Sequence, residues 1–189
     1  CASGANSIGE AAALIRAGAA DLARTTVLES GKPLTQARGE WLAAADLFDW
    51  FAEEGRRAYG RIIPGRMKNT RQLVIQEPVG VAAAFTPWNF PALTPARKIA
   101  AALAAGCAII VKASEETPGA CIEVVRCLVD AGLPKGVCHL VFGVPAASLL
   151  GARTLLAKPV RDPRLIQSGN DVPISIEDAA LARLTGWGA

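Results

Sequence analysis

This chain has one histidine, one methionine and one tyrosine in 189 residues, and its cysteines form no CxxC pair. A zinc centre draws on several His and Cys side chains at short spacing, so these shortages argue against one and no metal is expected. Positive charge exceeds negative by only 3, with no block of Lys and Arg. That gives no ground for nucleic acid or an acidic membrane surface as a partner. No apolar run reaches the roughly 18–20 residues needed to span a bilayer. The opening residues, CASGANSIG, carry neither a basic nor an apolar leader-type segment. No signal peptide and a cytoplasmic location are therefore expected.

What the chain does have is apolar mass. Half of it (51%) is hydrophobic, ample for one domain with a sizeable core. Five cysteines are present: Cys1, Cys107, Cys121, Cys127 and Cys138. Cys107 and Cys138 fall in apolar strand-like runs, and Cys121 and Cys127 in the helix-like GACIEVVRCLVDAG. Buried, reduced thiols of a cytoplasmic protein are the expectation.

The run from Phe85 to Pro118, FTPWNFPALTPARKIAAALAAGCAIIVKASEETP, organises the rest. PVGVAAAFT, from Pro78 to Thr86, has the length and apolarity of a buried strand. A stiff turn follows, Thr86 to Pro91, with a proline on each side of Trp88 and Asn89. Ala96 to Ala105 reads as helix, with Pro95 tolerated in its first turn and Gly106 as its left-handed stop. CAIIVK is a second buried strand ending at Lys112, and Ser114 or Thr117 is the expected cap of the next helix. Strands alternating with helices predict a parallel α/β sheet, whose ligands bind beyond the carboxyl ends of the strands. Asn89 and Lys112 each stand at such an end.

Residues 1–9 read as a ragged end. Glu10 to Ser30 is predicted helical, with Leu14, Leu22, Val27 and Leu28 available for an apolar stripe. Gly31-Lys32-Pro33 breaks the chain. A second helix is expected over Leu34 to Tyr59, with Trp41, Leu42, Leu47, Phe48 and Phe51 packed in the core. Its opposite face, with Glu40, Glu53, Glu54, Arg56 and Arg57, reads as solvated. Gly60 to Asn69 is a basic connection, and RQLVIQ (Arg71 to Gln76) a strand running into the Pro78 turn. Pro118 to Gly132 is an amphipathic helix, and Val137 to Phe142 a third buried strand with His139 as a packed residue. Cys138 and His139 cannot form a dyad, because neighbours on a strand point to opposite faces. Pro145 to Ala157 is the last predicted helix.

Four pieces, LESGKPLTQARGE, EPVGVAAAFTPWNFP, RKIAAALAAGCAIIVKASEETP and AGLPKGVCHLVFG, carry a resemblance. In order and spacing they resemble the N-terminal half of the NAD(P)-dependent aldehyde dehydrogenase superfamily, on its succinate-semialdehyde dehydrogenase-like branch. The combination of the TPWNFP turn, the LAAGC strand and the K-x-x-E turn is specific. The resemblance implies a partial Rossmann-like parallel sheet with flanking helices. It divides the chain into a helical segment at 1–69, a partial NAD-binding βα domain at 70–157 and an unassigned tail at 158–189. Where the family continues with an FTGS-type turn onto a phosphate-facing helix, this sequence reads KPVRDPRLIQSGNDVPISIED. No pyrophosphate-binding residues are carried over.

The resemblance assigns Asn89 as one donor to the oxyanion of the reaction, and Thr86, Pro87 and Trp88 to the stretch along the cofactor. Lys112 and Glu115 match the pair that holds the adenosine ribose. Glu115 implies NAD in preference to NADP. The family's nucleophilic cysteine and glutamate base lie in GQxC- and ELGG-type motifs, and neither occurs here. The expected reading is thus an N-terminal part of an NAD-dependent enzyme oxidising a small aldehyde, with succinic semialdehyde the candidate, and inactive by itself. The alternative is a non-catalytic module that binds a nucleotide weakly or serves in an interaction. Complete family members are homo-oligomers, but their oligomerisation strands are not recognisable here.

Overall fold

Alanine, rather than leucine, sets how the first two helices meet. In the computed structural model, which describes residues 2–143, helix α1 runs over Ala2–Ser30 and α2 over Leu34–Gly55. The first helix thus begins well before Glu10. Its buried stripe is Ile8, Ala11, Ala12, Ile15, Ala19 and Ala23, spaced three and four apart on one face. The leucines expected there lie at its margin, and Leu28 is 86% exposed. Small side chains let α1 and α2 lie close. Trp41 and Phe48 of α2 are fully buried between them, and the Trp41 indole N–H donates to the Thr26 hydroxyl at 2.9 Å. At the rim, Arg16 bridges Asp46 and Asp49.

The segment from Gly60 to Asn69, expected as a plain connection, holds strand β1 (Arg61–Pro64). It pairs antiparallel with β2 (Arg71–Val74) in a two-stranded sheet of its own, so β2 does not join the cofactor-type sheet. All eight residues are exposed. The alternation that reveals a half-buried strand is therefore missing.

The main sheet is parallel, in the order β3 (Val81–Phe85), β4 (Ala108–Lys112), β5 (Cys138–Val141). Helix α3 (Leu93–Ala104) connects the first pair and α4 (Pro118–Asp130) the second. Because the strand order follows the chain and such crossovers are right-handed, both helices lie on one face. Ala84, Ile109 and Val111 point into that core. The helices α2 and α1 pack in turn on α3 and α4. Gly106 ends α3 with φ +78°, and a Cβ there would meet Pro78 at 2.9 Å, so the stop is conformational and steric at once.

Strand β5, at the edge of the sheet among the described residues, is half-buried rather than buried. His139 faces outward, exposed, with Nε2 3.1 Å from the Gly136 carbonyl; it is not the packed residue expected. Cys138, its neighbour, faces the core side. The helix expected at Pro145 to Ala157, and the tail after it, lie outside the described residues. Among those described, no helix is long and apolar enough to cross a membrane.

Candidate functional site

The parallel register sets Phe85 beside Lys112, the last residues of β3 and β4. One residue further, Thr86 turns back to the same strand end. Its N–H donates to the Lys112 carbonyl at 3.1 Å and its hydroxyl to the same oxygen at 3.3 Å. The two turns that follow these strands therefore start from a common, buried point. From it the first turn projects outward: Pro87, Trp88, Asn89 and Phe90 are all exposed, Trp88 by 59%. Behind them Lys98, on α3, donates from Nζ to the Phe85 carbonyl. Desolvation holds its pKa below the ordinary lysine value.

Helix α3 then starts without a cap of its own, since Ala92 has no side-chain acceptor. The first amides of a helix need partners. Here they find Glu40 of α2, which accepts from Ala92 N–H at 2.8 Å and from Leu93 N–H at 3.1 Å. Glu40 was expected on a solvated face; it is instead 5% exposed. Its other oxygen pairs with Lys32. The Lys32 ammonium in turn donates to the Asn89 carbonyl at 3.1 Å and stands 4.3 Å from the Phe90 ring centroid.

The second turn is built by a parallel device. Neither Ser114 nor Thr117 caps α4 as expected. Ser114 bonds Glu116, and Thr117 makes no side-chain cap, its buried hydroxyl lacking a partner. Glu29, from the end of α1, accepts from the Gly119 and Ala120 amides. A Cβ on Gly119 would fall 2.6 Å from that carboxylate, so a larger residue would push the Glu29 side chain off its amides. On the turn itself Lys112 donates to Glu115. The lysine side chain is 8% exposed and the glutamate side chain 43%. Chiefly through that bond, and then through a backbone one, Glu115 is held ionised below the usual carboxylate range. An exposed, oriented carboxylate next to a charged donor is a donor and acceptor set that fits vicinal hydroxyls.

Of the residues singled out from sequence, Thr86 and Lys112 are joined by a bond, and Lys112 and Glu115 by an ion pair. Asn89 stands on the turn that leaves Thr86. Glu29, Lys32, Glu40 and Lys98 were missed. Three of them lie in the LESGKPLTQARGE piece, and the one available signal was α3 itself, a helix with no local capping residue. A cleft of about 320 Å³ lined by Glu54, Gly55, Arg57, Gln76 and Ala104 lies at the other end of α3 and touches none of these residues.

Three of the described thiols are poor candidates for a nucleophile. Burial raises Cys121 to about 12, and Cys127 and Cys138 to about 11. A raised thiol pKa means the thiolate is disfavoured in the folded state, so reactivity rises only as pH approaches those values. Alkylation with iodoacetamide at pH 8, mapped by mass spectrometry, should leave these three unmodified until denaturant is added. Rapid labelling of one in the native chain would reveal an activated thiol. Among the described residues no group of His, Cys, Asp and Glu is arranged to hold a metal.

Comparison with known proteins places the chain as a whole. The Aldehyde dehydrogenase family model covers residues 4–154, and the chain belongs to that family. It is similar to the 4-(hydroxymethyl)benzenesulfonate dehydrogenase TsaD1 of Comamonas testosteroni, 47% identical over 85% of this chain and 33% of that protein. The succinate-semialdehyde dehydrogenase [NADP(+)] GabD of Escherichia coli is 48% identical over 67% of this chain and 26% of its own length. In structure, the succinate-semialdehyde dehydrogenase of Burkholderia pseudomallei superposes with a TM-score of 0.75 at 45% identity. That match covers 78% of this chain and 31% of that one. The chain thus spans about a third or less of the length of these relatives.

Proposed function

We propose that this chain forms the cofactor-facing part of an aldehyde dehydrogenase site, with NAD as the preferred dinucleotide and a small aldehyde, succinic semialdehyde first among candidates, as substrate. The observation that carries the reading is the Thr86–Lys112 junction. It sets an amide-bearing turn and an ion-paired ribose-type turn beyond adjoining strand ends, where open parallel sheets bind ligands.

In this reading Glu115 accepts from the ribose hydroxyls while Lys112 adds a charged donor. Thr86, Pro87 and Trp88 lie along the dinucleotide. The Asn89 side-chain amide, uncharged and set on a proline-flanked turn, donates to the oxygen of the aldehyde as negative charge develops there. Bound NAD would supply the acceptor for the hydride that leaves the aldehyde carbon. The nucleophile and the hydrolytic base belong to GQxC- and ELGG-type segments that this sequence does not contain. A homo-oligomeric state and a cytoplasmic location are proposed for the complete protein on the family resemblance.

The test is segment exchange. Residues 2–143 replace the matching segment of the E. coli relative, and the chimaera is assayed with succinic semialdehyde and either dinucleotide. It is expected to form NADH, while this chain alone forms none. A soluble, folded chimaera without activity would remove the reading; steady turnover by the chain alone would show that it holds a nucleophile and base after all.

A further inference from the structure

We infer that Lys32 and Glu40 are positioning residues for Asn89: a largely buried ion pair, reaching from the α1–α2 connection and from α2, that holds the oxyanion-side turn in place. The inference rests on the reading of Asn89 given above and names what fixes it. Four contacts converge on the turn from this one pair. Glu40 accepts from the Ala92 and Leu93 amides at 2.8 and 3.1 Å, which fixes the point where the turn becomes helix. Lys32 donates to the Asn89 backbone carbonyl at 3.1 Å. The same ammonium lies over the Phe90 ring, 4.3 Å from its centroid, a distance at which the ring face attracts it.

The burial explains why the pair acts as a unit. The Glu40 side chain is 2% exposed and that of Lys32 is 15% exposed. A carboxylate so far from water needs its counter-ion, and an ammonium needs acceptors for its protons. Lys32 meets that need only by spending one donor on Glu40 and another on Asn89, so the ion pair and the turn geometry are coupled. The other end of the turn is held by Thr86 on the Lys112 carbonyl. Between these anchors lie Pro87 and Trp88, both exposed. An oxyanion donor accelerates a reaction only if it is in place before charge appears. In this fold that preorganisation is supplied from 57 residues away in sequence.

Hydrogen exchange on this chain, followed by mass spectrometry, tests the anchoring directly. Lys32→Met should speed exchange in the peptide covering Trp88 to Leu93 by about tenfold, the loss expected for a charged hydrogen bond, while peptides from α4 keep their rates. Lys32→Arg should restore most of the protection. Equal acceleration everywhere, or none at Trp88 to Leu93, overturns the inference. In the chimaera, Lys32→Met should lower kcat by about tenfold or more with KM for NAD within about twofold. Combined with Asn89→Ala it should add little, because the two act through one group. If Asn89→Ala lowers kcat but Lys32→Met does not, the positioning role falls and the reading of Asn89 stands. If Asn89→Ala itself has no effect, that reading falls and this inference with it.

Discussion

Asn89→Ala in the chimaera is expected to lower kcat by about 100- to 1000-fold, roughly 3–4 kcal/mol of barrier. The size follows from what the amide does: it meets charge that exists only in the transition state. Affinity for NAD, which depends on the other turn, should stay within about twofold. Asn89→Asp is expected to be at least as damaging, since it sets a carboxylate against the developing oxyanion. The turn itself should survive either change. Thr86 on the Lys112 carbonyl and Lys32 on the Asn89 carbonyl both act through backbone atoms, which side-chain truncation leaves in place. Steady-state kinetics on purified variants with matched melting temperatures would check this. A fall of less than about fivefold would take Asn89 out of the chemistry.

The second large effect concerns cofactor choice. Glu115 is expected to make the chimaera prefer NAD, although the protein donating the remainder is by name an NADP(+) enzyme. NADP would place a phosphate of nearly two negative charges where the ribose 2′ hydroxyl sits. At about 5 Å and an effective dielectric near 20, each unit charge repels the carboxylate by roughly 3 kcal/mol. Solvent screening and side-chain movement reduce this to about 1–3 kcal/mol, or roughly 10- to 100-fold. Glu115→Ser should therefore weaken NAD and relieve NADP, with Lys112 released to meet the phosphate. The sign of the pH dependence follows from the lowered pKa of Glu115. Its charge, and with it the discrimination, persists through the ordinary carboxylate range and is lost only as pH falls below it. The competing role, a helix-dipole contact at α4, has little to support it. Helix α4 starts at Pro118 and is capped by Glu29, while Glu115 faces Lys112. The ratio of kcat/KM for the two dinucleotides, before and after substitution, decides between them.

The central strand of the parallel sheet was legible in the sequence because burial on both sides of a strand writes itself as an apolar run; β3, read as buried on the same ground, buries only Ala84. AIIVK is such a run, bounded by Gly106 and by the polar turn after Lys112, and it became β4 with little change. What the sequence concealed has physical reasons. Strand β2 was read within Arg71 to Gln76, but β1 and its pairing were not: the hairpin is exposed along its whole length, so no alternation marked β1. The α1–α2 contact is close, which favours alanine and leaves the leucines, the usual mark of a core stripe, at its edge. Glu40 was misread because helix periodicity shows which face a residue shares and not what packs there. The start of a neighbouring helix with unsatisfied amides can bury a carboxylate. Both caps come from distant sequence, Glu29 to Gly119 and Glu40 to Ala92. Tertiary packing alone creates such pairs. On the proposed site, Asn89 and Lys112 were singled out by their place at strand ends and, with Glu115, by the resemblance; the groups that hold the turns were not.

The turns after β3 and β4 are proposed to receive a dinucleotide together. Titration of NAD into this chain, followed by calorimetry and by the fluorescence of the exposed Trp88, tests it most directly. One saturable site is expected, with a change at Trp88 that Trp88→Phe removes and loss of binding by about tenfold or more in both Glu115→Ser and Lys112→Met. Binding that is absent in the folded chain, or that ignores both substitutions, would contradict it.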